Sequence, residues 1–89
     1  MATVFIPSML RPAAGDRESV EVAGSTVRDV IERLTEAYPK LRVRLLEDGQ
    51  LRANISVAID GEISTLGLLD TVEKDSEVHF VAAISGGRP

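Results

Sequence analysis

Only one stretch of this chain carries a helical period; nearly every other candidate element alternates with a period of two. Val27, Val30, Ile31, Leu34 and Tyr38 recur at i, i+3, i+4 and share one face of a helix over about residues 26–38. Arg28, Asp29, Glu32, Arg33 and Glu36 fill the opposite face. Gly24-Ser25-Thr26 is a start signal, with Thr26 placed to cap and Asp29, three residues on, to reach back to the cap N–H. Asp29 and Arg33 form an i,i+4 pair in the favourable order, and Pro39 ends the helix.

The remaining segments read mostly as strands and turns. Thr3-Val4-Phe5-Ile6 is β-branched and aromatic, and Pro7 and Pro12 close it. A turn over residues 14–17 and the alternating Ser19-Val20-Glu21-Val22 complete a hairpin with a loose connection. Residues 41–46 fit a further helical turn or an extended segment equally well. After a turn over 47–50, Ile55, Val57 and Ile59 alternate strictly, Asp60-Gly61 is a hairpin turn and Glu62-Ile63-Ser64 a short strand. Residues 66–70 make a compact turn that plugs the core, residues 73–76 a polar turn, and residues 78–84 the last strand. The order is β-β-α-β-β-β. With 89 residues there is room for one core, and one helix covers only one face of a sheet. The fold class is therefore α+β: a single-domain β-grasp with a mixed sheet, one main helix on one face, and the first and last long strands side by side and parallel. The domain is expected over residues 1–85, with residues 86–89 as a flexible tail.

Several functions are disfavoured. The net charge is −4, with basic residues interleaved among acids, so there is no basic stripe for nucleic acid. Cysteine is absent, which removes disulfides, thiol nucleophiles and thiolate metal sites. No apolar run approaches a membrane span, and the first residues lack the basic region of a signal peptide; the expected location is the cytoplasm. No Gly-rich phosphate cradle is visible. His79, the single histidine, has no nucleophile or orienting partner and reads as a surface strand residue. The carboxylates sit mostly in turns, where Asp serves local geometry. The Asn54-Ile55-Ser56 sequon is read as accidental. No catalytic group and no metal ligand set is expected.

The C-terminus carries the chemistry. A strand rich in Val and Ala leads into Ser85-Gly86-Gly87. Without a Cβ, two glycines can lie extended in a channel too narrow for side chains, so such a tail can place a carboxylate inside a partner's active site while the domain docks outside. On the element order, the length, and Ala83-Ile84-Ser85-Gly86-Gly87, the chain resembles the ThiS/MoaD family of ubiquitin-like sulfur carriers over nearly its whole length. Ile6-Pro7-Ser8-Met9-Leu10-Arg11-Pro12 brings it closest to the family's cysteine-biosynthesis branch, the CysO type.

That resemblance implies a carrier without catalysis or bound cofactor of its own. Gly87 would be adenylated by an E1-like enzyme that uses ATP, with Gly86 and Ser85 threading the channel. Sulfur would then replace AMP, and the Gly87 thiocarboxylate would pass sulfide to a biosynthetic enzyme: a PLP-dependent cysteine synthase, or a thiazole- or thiosugar-type synthase. Active carriers of the family end at Gly-Gly, whereas here Arg88-Pro89 follows and holds Gly87 in a peptide bond. In some members such an extension is a removable cap trimmed by a JAMM-type zinc metalloprotease.

Strand parity gives a docking face. Phe5, Ala58, Val81 and Ala83 point away from the helix and make a weakly apolar patch on the open side of the sheet. Two other readings remain open on sequence alone: a ubiquitin-like modifier conjugated to lysines through Gly87, and a β-grasp interaction domain in which the two glycines are incidental.

Overall fold

The computed structural model describes residues 1–82. Strand β1 is Ala2–Phe5 and β2 is Ser19–Val22; they pair antiparallel with Val4 opposite Val20. Helix α1 is Val27–Ala37 and α2 the single turn Arg42–Leu45, reached through a 3₁₀ turn at Pro39–Leu41. Two-residue strands β3 (Leu46–Glu47) and β4 (Gln50–Leu51) form a small separate hairpin. Strand β5 is Ile55–Ile59, β6 is Glu62–Ile63 and β7 is Glu77–Ala82. The main sheet runs β2-β1-β7-β5-β6, with β1 and β7 parallel at its centre and the other pairs antiparallel. This is the β-grasp, or ubiquitin-like, arrangement, and the parallel central pair is as the element order requires.

Parity decides what is inside. Ala2, Val4 and Ile6 from β1 and its continuation, Val57 from β5, and Val78 and Phe80 from β7 are buried against Val27, Val30, Ile31 and Leu34 of α1. Each such aliphatic or aromatic side chain contributes about 1.5–3 kcal/mol on burial, so these facing positions hold most of a small domain's stability. Leu41 and Leu45 are fully buried, which resolves the ambiguous residues 41–46 as helical up to Leu45: two leucines four apart reach the core only if the chain keeps turning.

Four local expectations are corrected. The connection after β1 is not loose, because Ser8–Ala14 forms a 3₁₀ segment that buries Leu10 and Ala14 and closes with Gly15 at φ 63°. The Thr26 cap is present, its hydroxyl accepting from the Asp29 N–H at 3.2 Å. Asp29, however, reaches one residue further back than expected, its Oδ2 accepting from the N–H and hydroxyl of Ser25 at 3.3 and 3.1 Å. Those Ser25 donors hold the Asp29 carboxyl below its ordinary pKa, and Asp29–Arg33 is not among the ion pairs of the described residues, which are Arg42–Glu32 and His79–Glu77. Lastly, the plug at residues 66–70 is one side chain: the 3₁₀ turn Gly67–Leu69 buries Leu68 and leaves Leu66 and Leu69 exposed.

Two anchors fix the last crossover. The start of α1 is tied to residues 70–72, with the Val27 N–H donating to Asp70 O at 3.0 Å and the Val72 N–H to Ser25 O at 2.9 Å. Asp60, at φ 51° in the β5–β6 turn with Gly61 at φ 88°, accepts from the buried Ser76 hydroxyl and from the Glu77 N–H, both at 2.9 Å. The hairpin turn is thereby fastened to the first residue of β7. Among the described residues no helix is long and apolar enough to cross a membrane.

Candidate functional site: the open sheet face and the root of the C-terminal tail

The helix covers one face of the main sheet, and the register arranges the other face in rows. Phe5 lies opposite Ser19 on β2 and His79 on β7; His79 lies opposite Ala58 on β5, and Ala58 opposite Ile63 on β6. Directly paired residues share a face, so Ser19, Phe5, His79, Ala58 and Ile63 form one band across five strands. Towards the C-terminal end of β7 the next pair is Val81 with Ser56. Towards its N-terminal end the next row is Glu21, Thr3 and Glu77. The open face is thus apolar towards the C-terminal end of β7 and acidic at the far end.

The centre of the band is an aromatic stack. The rings of Phe5 and His79 lie 4.4 Å apart between centroids at 9°. The parallel β1–β7 pair places these two side chains abreast, and stacking gives a flat, half-exposed platform. His79 Nε2 also sits 4.0 Å from Glu77 Oε1, two residues back on the same face. Among the described residues no three His, Asp or Glu converge as a metal site. What this geometry provides is a surface for contact.

Of the expected docking residues, Phe5, Ala58 and Val81 lie on the open face. They are not equivalent: Phe5 and Val81 are half-buried, while Ala58, at 8% exposure, is floor beneath its neighbours. Ala83, Ser85, Gly86, Gly87, Arg88 and Pro89, with the expected end of the last strand and the domain boundary at residue 85, lie outside the described residues. Three members of the band were not assigned to the patch from sequence: Ser19, His79 and Ile63. His79 has the right parity but was read as an isolated surface residue. Ile63, 59% exposed, follows from turn arithmetic: a two-residue Asp60-Gly61 turn sets Ile59 against Glu62 and so Ala58 against Ile63.

The ThiS family's profile matches residues 4–87. The chain belongs to the ThiS family. That match extends through Gly86-Gly87. The chain is 30% identical to the sulfur carrier protein CysO of Mycobacterium tuberculosis over 90 residues, which covers 96% of this chain and 97% of that protein. Among solved structures it is similar to a chain in the Amycolatopsis orientalis BexX/CysO complex, with a TM-score of 0.88, 29% identity and coverage of 98% and 100%. It is also similar to small archaeal modifier protein 1 of Methanosarcina acetivorans, with a TM-score of 0.81, 28% identity and coverage of 97% and 95%.

Proposed function

We propose that this chain is a sulfur carrier, a cosubstrate of partner enzymes and not a catalyst. The observation that carries the reading is the family match running through Gly86-Gly87, supported by near full-length similarity to CysO. Gly87 precedes Arg88, so a free carboxylate requires hydrolysis of the Gly87–Arg88 bond, work suited to a JAMM-type metalloprotease. A carboxylate oxygen of Gly87 then attacks the α-phosphorus of ATP on an E1-like enzyme, and pyrophosphate leaves. Hydrosulfide attacks the acyl carbon, AMP leaves and a proton is lost, giving the Gly87 thiocarboxylate. Its sulfur attacks an electrophilic acceptor on a biosynthetic enzyme, such as a PLP-dependent cysteine synthase or a thiazole- or thiosugar-type synthase. Water then cleaves the acyl–sulfur bond and restores the carboxylate. ATP belongs to the activating partner, no cofactor is held by the carrier, and the setting is cytoplasmic. Gly86 and Ser85 thread the channel, while Phe5, Ala58, Val81 and Ala83 serve docking outside it.

The test compares the 89-residue protein with a form ending at Gly87, using purified activating enzyme, ATP and sulfide without protease. Intact mass should show one oxygen exchanged for sulfur only in the shorter form. Equal yield from both would refute the cap, and no product from either would refute the carrier reading. Similarity to small archaeal modifier protein 1 supports a second reading, conjugation to lysine through Gly87. Lysine-linked adducts in cells, with no thiocarboxylate, would favour it.

A further inference from the structure

The parallel pairing of β1 and β7 sends both strands out of the sheet at the same end, and β5 begins there, with Ile55 opposite Ala82. The 3₁₀ segment Ser8–Ala14 that follows β1 is therefore held against the last described residues of β7. Between them lies a groove of about 280 Å³. Pro7, Met9 and Leu10 form one wall, Asn54 and Ile55 the other, and residues 80–82 the floor. Among the described residues no charged side chain lines it. Neighbouring depressions do carry charge: Arg11 and Glu18 beside Phe5, Asp60 and Glu62 along β6. Met9 is 71% exposed, an unbranched apolar side chain on the 3₁₀ segment, the type that adapts to a partner's surface.

We infer that this groove is a second docking contact for the adenylating enzyme, and that it receives an apolar side chain of that enzyme with Met9 as the clamp. The inference rests on the sulfur-carrier reading. Reach favours this occupant. Gly87 lies five residues beyond Ala82 along the chain, and five residues span at most about 18 Å. An enzyme that encloses the Gly87 carboxylate must therefore abut the end of the sheet where the groove opens. Continuity supports it too, because Val81 belongs both to the groove and to the open face. The groove holds the enzyme without touching the reacting carboxylate, so it contributes binding that is equal in ground and transition states.

The experiment measures ATP–pyrophosphate exchange by the host's purified E1-like enzyme against concentration of the Gly87-ending form. Met9→Asp, which sets a charge in the groove, should raise KM about tenfold or more and leave kcat within twofold. Asn54→Arg, on the opposite wall at an exposed position, should do the same and stands in if Met9→Asp melts early. Leu69→Asp is the matched control at 71% exposure outside the groove and should leave both constants unchanged. An unchanged KM in folded Met9→Asp and Asn54→Arg would overturn the inference while the carrier reading stands. A lowered KM would overturn it by assigning the groove to the chain's own residues 83–89. A concentration-dependent dimer in sedimentation that Met9→Asp abolishes would overturn it in favour of a second copy. If the unsubstituted Gly87-ending form shows no exchange, the carrier reading fails and this inference fails with it.

Discussion

Gly24 shows how much of the start of α1 rests on a single residue. Its φ of 155° lies where L side chains are strained, and a Cβ there would sit 3.0 Å from Asp29 Cβ, Val30 Cγ2 and the Val30 backbone N. Those neighbours cannot retreat: Val30 is fully buried, and Asp29 accepts two hydrogen bonds from Ser25. Gly24→Ala should therefore cost about 1–3 kcal/mol, read as a lower urea midpoint at unchanged m. A midpoint equal to that of the unsubstituted protein would mean that the loop relaxes freely. Sequence shows Gly24-Ser25-Thr26 as a cap signal because the requirement is local. It misassigns the Asp29 acceptor by one residue because Ser25 and Thr26 offer the same donors, and only the entry angle of the chain, fixed by Val72 N–H to Ser25 O, separates them.

Elements differ in how far their own sequence explains them. Helix α1 is legible because Val27, Val30, Ile31 and Leu34 mark one face and all four are buried. Replacing Ile31 or Leu34 by Ala should cost about 2–5 kcal/mol through lost burial and the cavity left behind, a large part of the stability of an 89-residue chain. Thermal unfolding near that of the parent would contradict the packing. The 3₁₀ segment Ser8–Ala14 has no such signature. With Pro12 inside it and no side-chain cap, it is stable only because Leu10 and Ala14 find the core, and that could not be read from spacing.

For the molecule as a whole, the decisive feature is that the last strand lies beside the first. It places Phe5 against His79, gathers an apolar band towards the C-terminal end of β7, and leaves the acidic row of Glu21 and Glu77 at the far end. Val81→Asp or Phe5→Asp should leave the melting temperature within a few degrees, since both side chains point away from α1. Each should weaken binding to the activating enzyme ten- to hundredfold, or about 1.4–2.8 kcal/mol, by leaving a charge unpaired in a desolvated contact. Calorimetry of both variants, with circular dichroism for the fold, checks this. Unfolding of both would place the face in the core, and full affinity would remove it from the interface.

What the sequence by itself determined is whatever short-range periodicity encodes: the position of α1, the alternation of β5 and β7, the Asp60-Gly61 turn, the β-grasp order and the Gly86-Gly87 motif. Parity even assigned Phe5, Ala58 and Val81 to the open side. Tertiary structure decided what depends on residues far apart in the chain. It made Ala58 floor instead of contact, and brought His79 and Ile63 into the band. It turned Leu41 and Leu45 inward, and built the groove of Met9, Asn54 and β7 from three separate segments. The physical reason is that a side chain's parity is set by its own strand, whereas its exposure and its neighbours are set by strands and loops tens of residues away.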